Sequence, residues 1–187
     1  MKITKTRLKG VLILEPRRFE DERGFFSETY NQVSWAQLGI ETNWVQDNHS
    51  KSSKAGVIRG LHWQHPPFAQ AKLVRVTRGA IYDVAVDLRQ GSPTYGDHVG
   101  VELSEQNWLQ LLVPIGFAHG FCTLSDDCEV LYKTSAPYNS KAESGLSWCD
   151  TKLAINWPLA GSAPTLSDRD MQWGALETLD SPFEFDC

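Results

Sequence analysis

The chain has 187 residues, 41% hydrophobic and 22% charged, with a formal net charge of -5. That length supports one domain with a sizeable core and would cramp two, and the composition is that of a soluble globular protein. The negative balance argues against a general nucleic-acid binder or a membrane-surface protein, so an anionic ligand requires a local cluster of Arg and Lys.

Seven Trp, eight Phe and five Tyr suit a β-rich core or a pocket for a flat ligand. The four cysteines, Cys122, Cys128, Cys149 and Cys187, form no CxxC pair and no common zinc spacing. With no signal peptide and no long apolar run, they read as free thiols of a protein in the reducing cytoplasm.

In chain order, Val11–Leu14 reads as a first strand. Asp21-Glu22-Arg23-Gly24 reads as a turn before Phe25–Tyr30, and Asn31–Leu38 as a short helix ended by Gly39. Lys72–Arg78 and Ala80–Leu88 are strand-like about Gly79. In the second run Tyr82, Val84, Val86 and Leu88 share one face; Ile81, Asp83, Ala85 and Asp87 share the other. His98–Leu103, Trp108–Val113 and Cys128–Thr134 follow as strands. After Pro137 the pattern is irregular, with Trp148, Trp157 and Trp173 as packing anchors. Many short strands with little helix indicate a sandwich or barrel. A jelly roll is the natural candidate, and lipocalin-like or immunoglobulin-like arrangements fit the spacing almost as well.

Pro114-Ile115-Gly116-Phe117-Ala118-His119 has the form PxGxxH, and a segment from Gly56 reaches His62. These resemble the two signature motifs of the cupin superfamily. In its metal-binding members a second His follows at +2 and a Glu seven residues before a Gly. Here those places hold Gln64 and Lys72. A divalent cation wants imidazoles and carboxylates, and an ammonium repels it. His65 forms an HxxH with His62, but a spacing of three on a strand turns the rings to opposite faces. No metal site is expected. Without a metal, His62 suits a general base and Lys72 an oxyanion stabiliser, which together fit proton abstraction beside a carbonyl.

Further motifs carry a closer resemblance: Phe19-x-Asp21-x-Arg23-Gly24-x-Phe26-x-Glu28, Val45-Gln46-Asp47-Asn48-His49-Ser50, Ile58-Arg59-Gly60-Leu61-His62-Trp63-Gln64, Gln70-Ala71-Lys72-Leu73-Val74, Asp83–Arg89, Ser92–Gly96, Pro114–Phe121 and Leu166-Ser167-Asp168-Arg169-Asp170. In this order they resemble the dTDP-4-dehydrorhamnose 3,5-epimerase family, over residues 3 to 175. The resemblance implies a double-stranded β-helix (jelly roll, cupin-like), mainly β with a few short helices. It also implies a homodimer without a cofactor that inverts C3 and C5 of dTDP-4-dehydro-6-deoxy-D-glucose beside the C4 ketone.

Carried over by position, His62 is similar to the base, Asp170 to the acid that orients it, Tyr132 to the opposed proton donor and Lys72 to the residue that steadies the enolate oxygen with help from His119. The resemblance gives Arg23 and Arg59 the diphosphate, with Arg169 keeping a charge where Lys is common. It gives Gln46 and Asn48 the thymine edge, Phe26 and Tyr138 the base stack, and Glu28 and Glu143 sugar or ribose contacts. Asp83, Asp87 and Arg89 read as structural ion pairs. Trp63 stands where Tyr is common, as packing. The expected organisation is a single domain over residues 1–187 with 181–187 as a flexible tail. The alternatives are a C3-only or C5-only relative, a metal cupin, and a non-catalytic module that holds a nucleotide sugar.

Overall fold

The computed structural model describes residues 1–159 and 161–186. Among these residues thirteen strands, one short α-helix and a 3-10 turn at Leu176–Thr178 are formed: β1 Lys2–Lys5, β2 Leu12–Glu15, β3 Arg18–Asp21, β4 Gly24–Ser27, α1 Gln32–Ala36, β5 Gln46–Ser52, β6 Ile58–Gln64, β7 Lys72–Arg78, β8 Ala80–Asp87, β9 His98–Ser104, β10 Gln110–Val113, β11 Phe117–Thr123, β12 Cys128–Thr134 and β13 Glu143–Gly145. They make a six-stranded sheet β1-β2-β10-β7-β12-β5, a five-stranded sheet β13-β6-β11-β8-β9, and a separate ribbon β3-β4. All the strand pairings are antiparallel. This is the cupin-like jelly roll.

Strand alternation builds three apolar layers. Between the sheets, Val74, Val76, Leu111, Val113 and Val130 of the six-stranded sheet meet Ile81, Ala85, Leu103, Phe117 and Phe121 of the other. The outer face of the five-stranded sheet carries Leu61, Trp63, Val84, Val86, Leu88 and Ala118, covered by Leu146, Leu153, Trp157 and Phe183 from the irregular C-terminal third. The outer face of the six-stranded sheet is covered by Trp35 and Ile40, which pack on Leu14, Leu73 and Leu112. Strand β8 is therefore buried on both faces, as its two apolar sets require.

The short helix starts where Asn31 accepts from the Val33 and Ser34 amides at 3.0 and 3.1 Å, an ordinary N-cap. The strand expected from Trp108 begins instead at Gln110. Trp108 sits at φ 61°, outside the strand region.

The segment 181–187 expected as a flexible tail is, through Asp186, packed onto the body. The Ser181 hydroxyl donates to the Leu88 carbonyl, the Gln90 amide to Phe183 O at 2.8 Å and the Phe185 amide to Gln90 O at 3.0 Å. Phe183 is 6% exposed and packs with Trp157 and Leu88, and its burial acts together with these hydrogen bonds against the entropy of holding the segment. Cys187 lies outside the described residues.

Candidate active site

At one end of the sandwich the facing positions change from apolar to polar. On the six-stranded sheet the inward row of β12 runs Val130, Tyr132, Thr134, and that of β7 runs Lys72, Val74, Val76. On the five-stranded sheet His119 of β11 is the direct partner of His62 of β6, so both rings lie on one face. Gly60 and Gly120 let these two strands approach. A Cβ at Gly60 would come within 2.6 Å of Gly120 Cα, and one at Gly120 within 2.7 Å of Arg59 O. Strand β5 closes the side, with Asn48 opposite Tyr132 and Gln46 opposite Thr134.

A cavity of about 660 Å³ opens between these walls, lined by Arg59, His62, Lys72, His119, Tyr132, Glu143, Arg169 and Asp170. A smaller one of about 220 Å³ shares His62, Lys72, Tyr132 and Glu143 and adds Gln46, Asn48, Gln64 and Tyr138.

Two histidines are each held by a buried carboxylate. His62 Nε2 is 2.5 Å from Asp170 Oδ1, and the other Asp170 oxygen accepts from the Ser167 hydroxyl at 2.8 Å. Burial works to raise the Asp170 pKa, but the His62 contact and the Ser167 hydroxyl outweigh it and hold the carboxyl below its ordinary value. His119 Nε2 is 2.8 Å from Asp83 Oδ1. Burial pushes the His119 pKa down against the pull of Asp83. Asp83, expected in a structural ion pair, thus sits beside the site; among the described residues the Arg89 guanidinium pairs with Asp87 alone, at 2.6 Å. The signal was legible in principle: a charged residue between Ile81 and Ala85, on a face otherwise committed to the core, demands a buried partner.

Lys72 reaches in between the sheets, its Nζ 3.4 Å from the His62 carbonyl. Burial lowers its pKa to about 8, partly offset by the charges of Asp83 and Glu143. Burial raises the Tyr132 pKa, with Arg59 opposing it, so the phenol stays protonated near neutrality.

The rim is tied together by polar contacts. Tyr138 OH donates to Glu143 Oε2 at 3.0 Å, and the Arg169 guanidinium contacts both Glu143 and Tyr138. Gln46 donates to Asn48 at 2.9 Å and accepts from the Tyr138 amide at 2.9 Å. Arg59 donates toward Ser52 Oγ at 3.4 Å and Lys51 O at 3.3 Å. Gln64, at a metal-ligand position of other cupins, donates to Phe68 O at 2.7 Å and Pro137 O at 3.1 Å and accepts from the Asn139 amide at 2.7 Å. Its role, pinning the turn that carries Tyr138, had no sequence signal.

Three expected substrate contacts are not brought here. Arg23, Phe26 and Glu28 line neither cavity. They lie on or just after the β3–β4 ribbon, where Arg23 pairs with Asp21 at 2.5 Å, Phe26 is 71% exposed and Glu28 accepts from Asn31 at 3.0 Å. The ribbon pairs only with itself among the described strands.

A histidine-carboxylate pair, a buried lysine and a phenol around one cavity of a jelly roll are a set suited to an acid–base enzyme. Comparison with known proteins narrows the class. The family model for dTDP-4-dehydrorhamnose 3,5-epimerase matches residues 5–178. The chain is 52% identical over 172 residues to the dTDP-4-dehydrorhamnose 3,5-epimerase of Shigella flexneri, covering 91% of this chain and 93% of that one. The crystal structure of the Bacillus anthracis enzyme with TDP and PPi bound is 50% identical, with a TM-score of 0.90 over 94% of this chain and 99% of that one. A Legionella pneumophila dTDP-6-deoxy-D-glucose-3,5-epimerase, in complex with dTDP-4-keto-L-rhamnose, is 41% identical with a TM-score of 0.94 over 100% and 99%. The chain belongs to the dTDP-4-dehydrorhamnose 3,5-epimerase family. It is a carbohydrate isomerase with a nucleotide-sugar site. No described helix is long and apolar enough to cross a membrane.

Proposed function

We propose that the chain inverts C3 and C5 of dTDP-4-dehydro-6-deoxy-D-glucose without a cofactor, giving dTDP-4-dehydro-L-rhamnose for dTDP-L-rhamnose synthesis. The observation that carries this reading is that His62 and Tyr132 enter one cavity from different sheets. Inversion requires a proton to leave one face of a carbon and another to arrive on the opposite face. One residue on one wall cannot do both.

In this reading Asp170 holds His62 Nε2, which leaves Nδ1 as the basic nitrogen. Nδ1 takes the proton from C3, or from C5, next to the C4 ketone. The electron pair of that C–H bond moves into the ring and onto the ketone oxygen, and the Lys72 ammonium steadies the resulting enolate. The Tyr132 hydroxyl returns a proton to the same carbon from the other side. Arg59 and Arg169 take the diphosphate, where guanidinium forks suit phosphate oxygens. Gln46 and Asn48 meet the thymine edge, Tyr138 stacks on the base, and Glu143 and His119 contact the sugar.

Arg23, Phe26 and Glu28 keep their substrate contacts only if they reach the site of another copy. The exposed ribbon, with Phe19, Phe25 and Phe26 each about half exposed or more, supports a homodimer in which each ribbon lies over the partner's cavity. Light scattering tests the dimer. Mixing His62→Ala with Phe26→Ala chains tests the exchange, since mixed dimers regain one intact site.

The chain forms one domain, and the free thiols Cys122, Cys128 and Cys149 suit a reducing cytoplasm. The function itself is tested by His62→Ala, which abolishes inversion and leaves dTDP affinity unchanged. Loss of both together would contradict a role in chemistry.

A further inference from the structure

The two histidine-carboxylate pairs are not equivalent, and the carboxylate of the second, Asp83, has no assigned task. Asp83 is fully buried, and His119 is nearly so. One Asp83 oxygen meets His119 Nε2 at 2.8 Å, and the other is sealed with no hydrogen-bond partner. A carboxylate only accepts, so Nε2 must carry the hydrogen. In a neutral imidazole the other nitrogen is then an acceptor. Among the described residues His119 Nδ1 has no hydrogen-bond partner, and it is not among the sealed, unpartnered atoms, so it reaches the open volume of the larger cavity.

An unprotonated nitrogen facing the cavity cannot steady an enolate oxygen. Two lone pairs would face each other, which repels. It can accept from an O–H. We propose that Asp83 is a positioning residue that fixes His119 as the Nε2–H tautomer, so that His119 reads a hydroxyl of the sugar through Nδ1 and leaves the oxyanion to Lys72. The inference rests on the nucleotide-sugar epimerase reading above. Burial, which lowers the His119 pKa, keeps Nδ1 a hydrogen-bond acceptor and a poor trap for a proton. The bare Asp83 oxygen has a reason as well. The carboxylate is the buried counter-charge nearest in effect to the Lys72 ammonium, whose protonated form it favours.

The test is long-range proton–nitrogen NMR on the full chain with 15N-labelled histidine. At neutral pH the His119 ring should be neutral with its proton on Nε2. Adding dTDP-glucose should move the Nδ1 resonance in the direction of an accepted hydrogen bond, and dTDP alone should leave it in place. A proton on Nδ1, an imidazolium, or the same response to dTDP alone would overturn the proposal. Asp83→Asn supplies the second arm, because its amide can donate to Nε2 and release the tautomer. A carboxylate-to-amide change behind a catalytic imidazole costs up to about 10⁴-fold elsewhere, and here kcat should fall about tenfold or more with dTDP affinity unchanged. Full activity in that variant would also overturn the proposal. The wild-type spectrum stands whether or not the variant folds. Failure of the epimerase reading would appear separately, as no exchange of substrate protons by the wild-type protein.

Discussion

His62 and His119 are direct cross-strand partners of β6 and β11, and each turns Nε2 onto a buried carboxylate, Asp170 at 2.5 Å and Asp83 at 2.8 Å. The rung therefore presents two Nδ1 atoms to one cavity. Lys72 and Tyr132 face them from the other sheet. Of the positions at which metal-binding cupins gather ligands, two here hold Gln64 and Lys72 in place of a histidine and a glutamate.

Lys72 should set the alkaline limit of activity. The ammonium is the form that steadies an oxyanion, and burial lowers its pKa to about 8. Turnover should fall as pH rises through that value. The same shift is a stability statement. The folded pKa lies below the unfolded value of 10.5, so between about 8 and 10.5 the unfolded chain binds more protons. The buried lysine destabilises the fold in full below about 8, and the penalty is relieved as pH rises toward the unfolded value. Lys72→Met should therefore be more stable at pH 7, by on the order of 3 kcal/mol at about 1.4 kcal/mol per pKa unit, and close to inactive. Denaturant melts and a pH–rate profile check both.

Tyr132→Phe should keep the fold and separate the two half-reactions. Abstraction by His62 survives, so substrate protons still exchange with solvent, while inversion falls by about 10²-fold or more. Parallel loss of exchange and inversion would contradict the division of roles.

Activity should survive chelation. Gln64 spends its amide on Phe68 O, Pro137 O and the Asn139 amide, and Lys72 occupies the next ligand place. Prolonged dialysis against EDTA should leave kcat unchanged. Gln64→Ala should free the turn that carries Tyr138, raise KM more than it lowers kcat, and cost about 2–4 kcal/mol of stability through lost hydrogen bonds and a cavity.

The C-terminal segment should be part of the fold. Phe183 packs with Trp157 and Leu88 in the outer layer, so Phe183→Ala should destabilise by about 3–5 kcal/mol. Thermal melts of that variant and of a chain cut after Asp180 check it.

How much of this was legible depends on what each strand faces. β7 and β12 begin and end at the residues read from alternation, Lys72–Arg78 and Cys128–Thr134, because their inward rows are largely apolar. β5 was not read as a strand. Gln46, Asn48 and Ser50 face a wet cavity while Asp47, His49 and Lys51 face outward, so no apolar period exists to detect. β6 and β11 were noticed as motifs and not as strands, since glycines and histidines interrupt their pattern. Positions in motifs brought His62, Asp170, Lys72 and Tyr132 together on paper, and all four line the larger cavity. Motif position says nothing about which chain covers a site, so Arg23, Phe26 and Glu28 were grouped with residues that they do not meet within one chain. It also hid Asp83, whose partner is set by the diagonal geometry of β8 and β11.

The central claim is that one cavity removes and returns protons at both carbons beside the ketone. The direct measurement is NMR of dTDP-4-dehydro-6-deoxy-D-glucose incubated with the protein in heavy water, with the L-sugar trapped by a downstream reductase. Deuterium at both C3 and C5, with the L-sugar formed, is the predicted result. Deuterium at one carbon, or at neither while dTDP still binds, would contradict it.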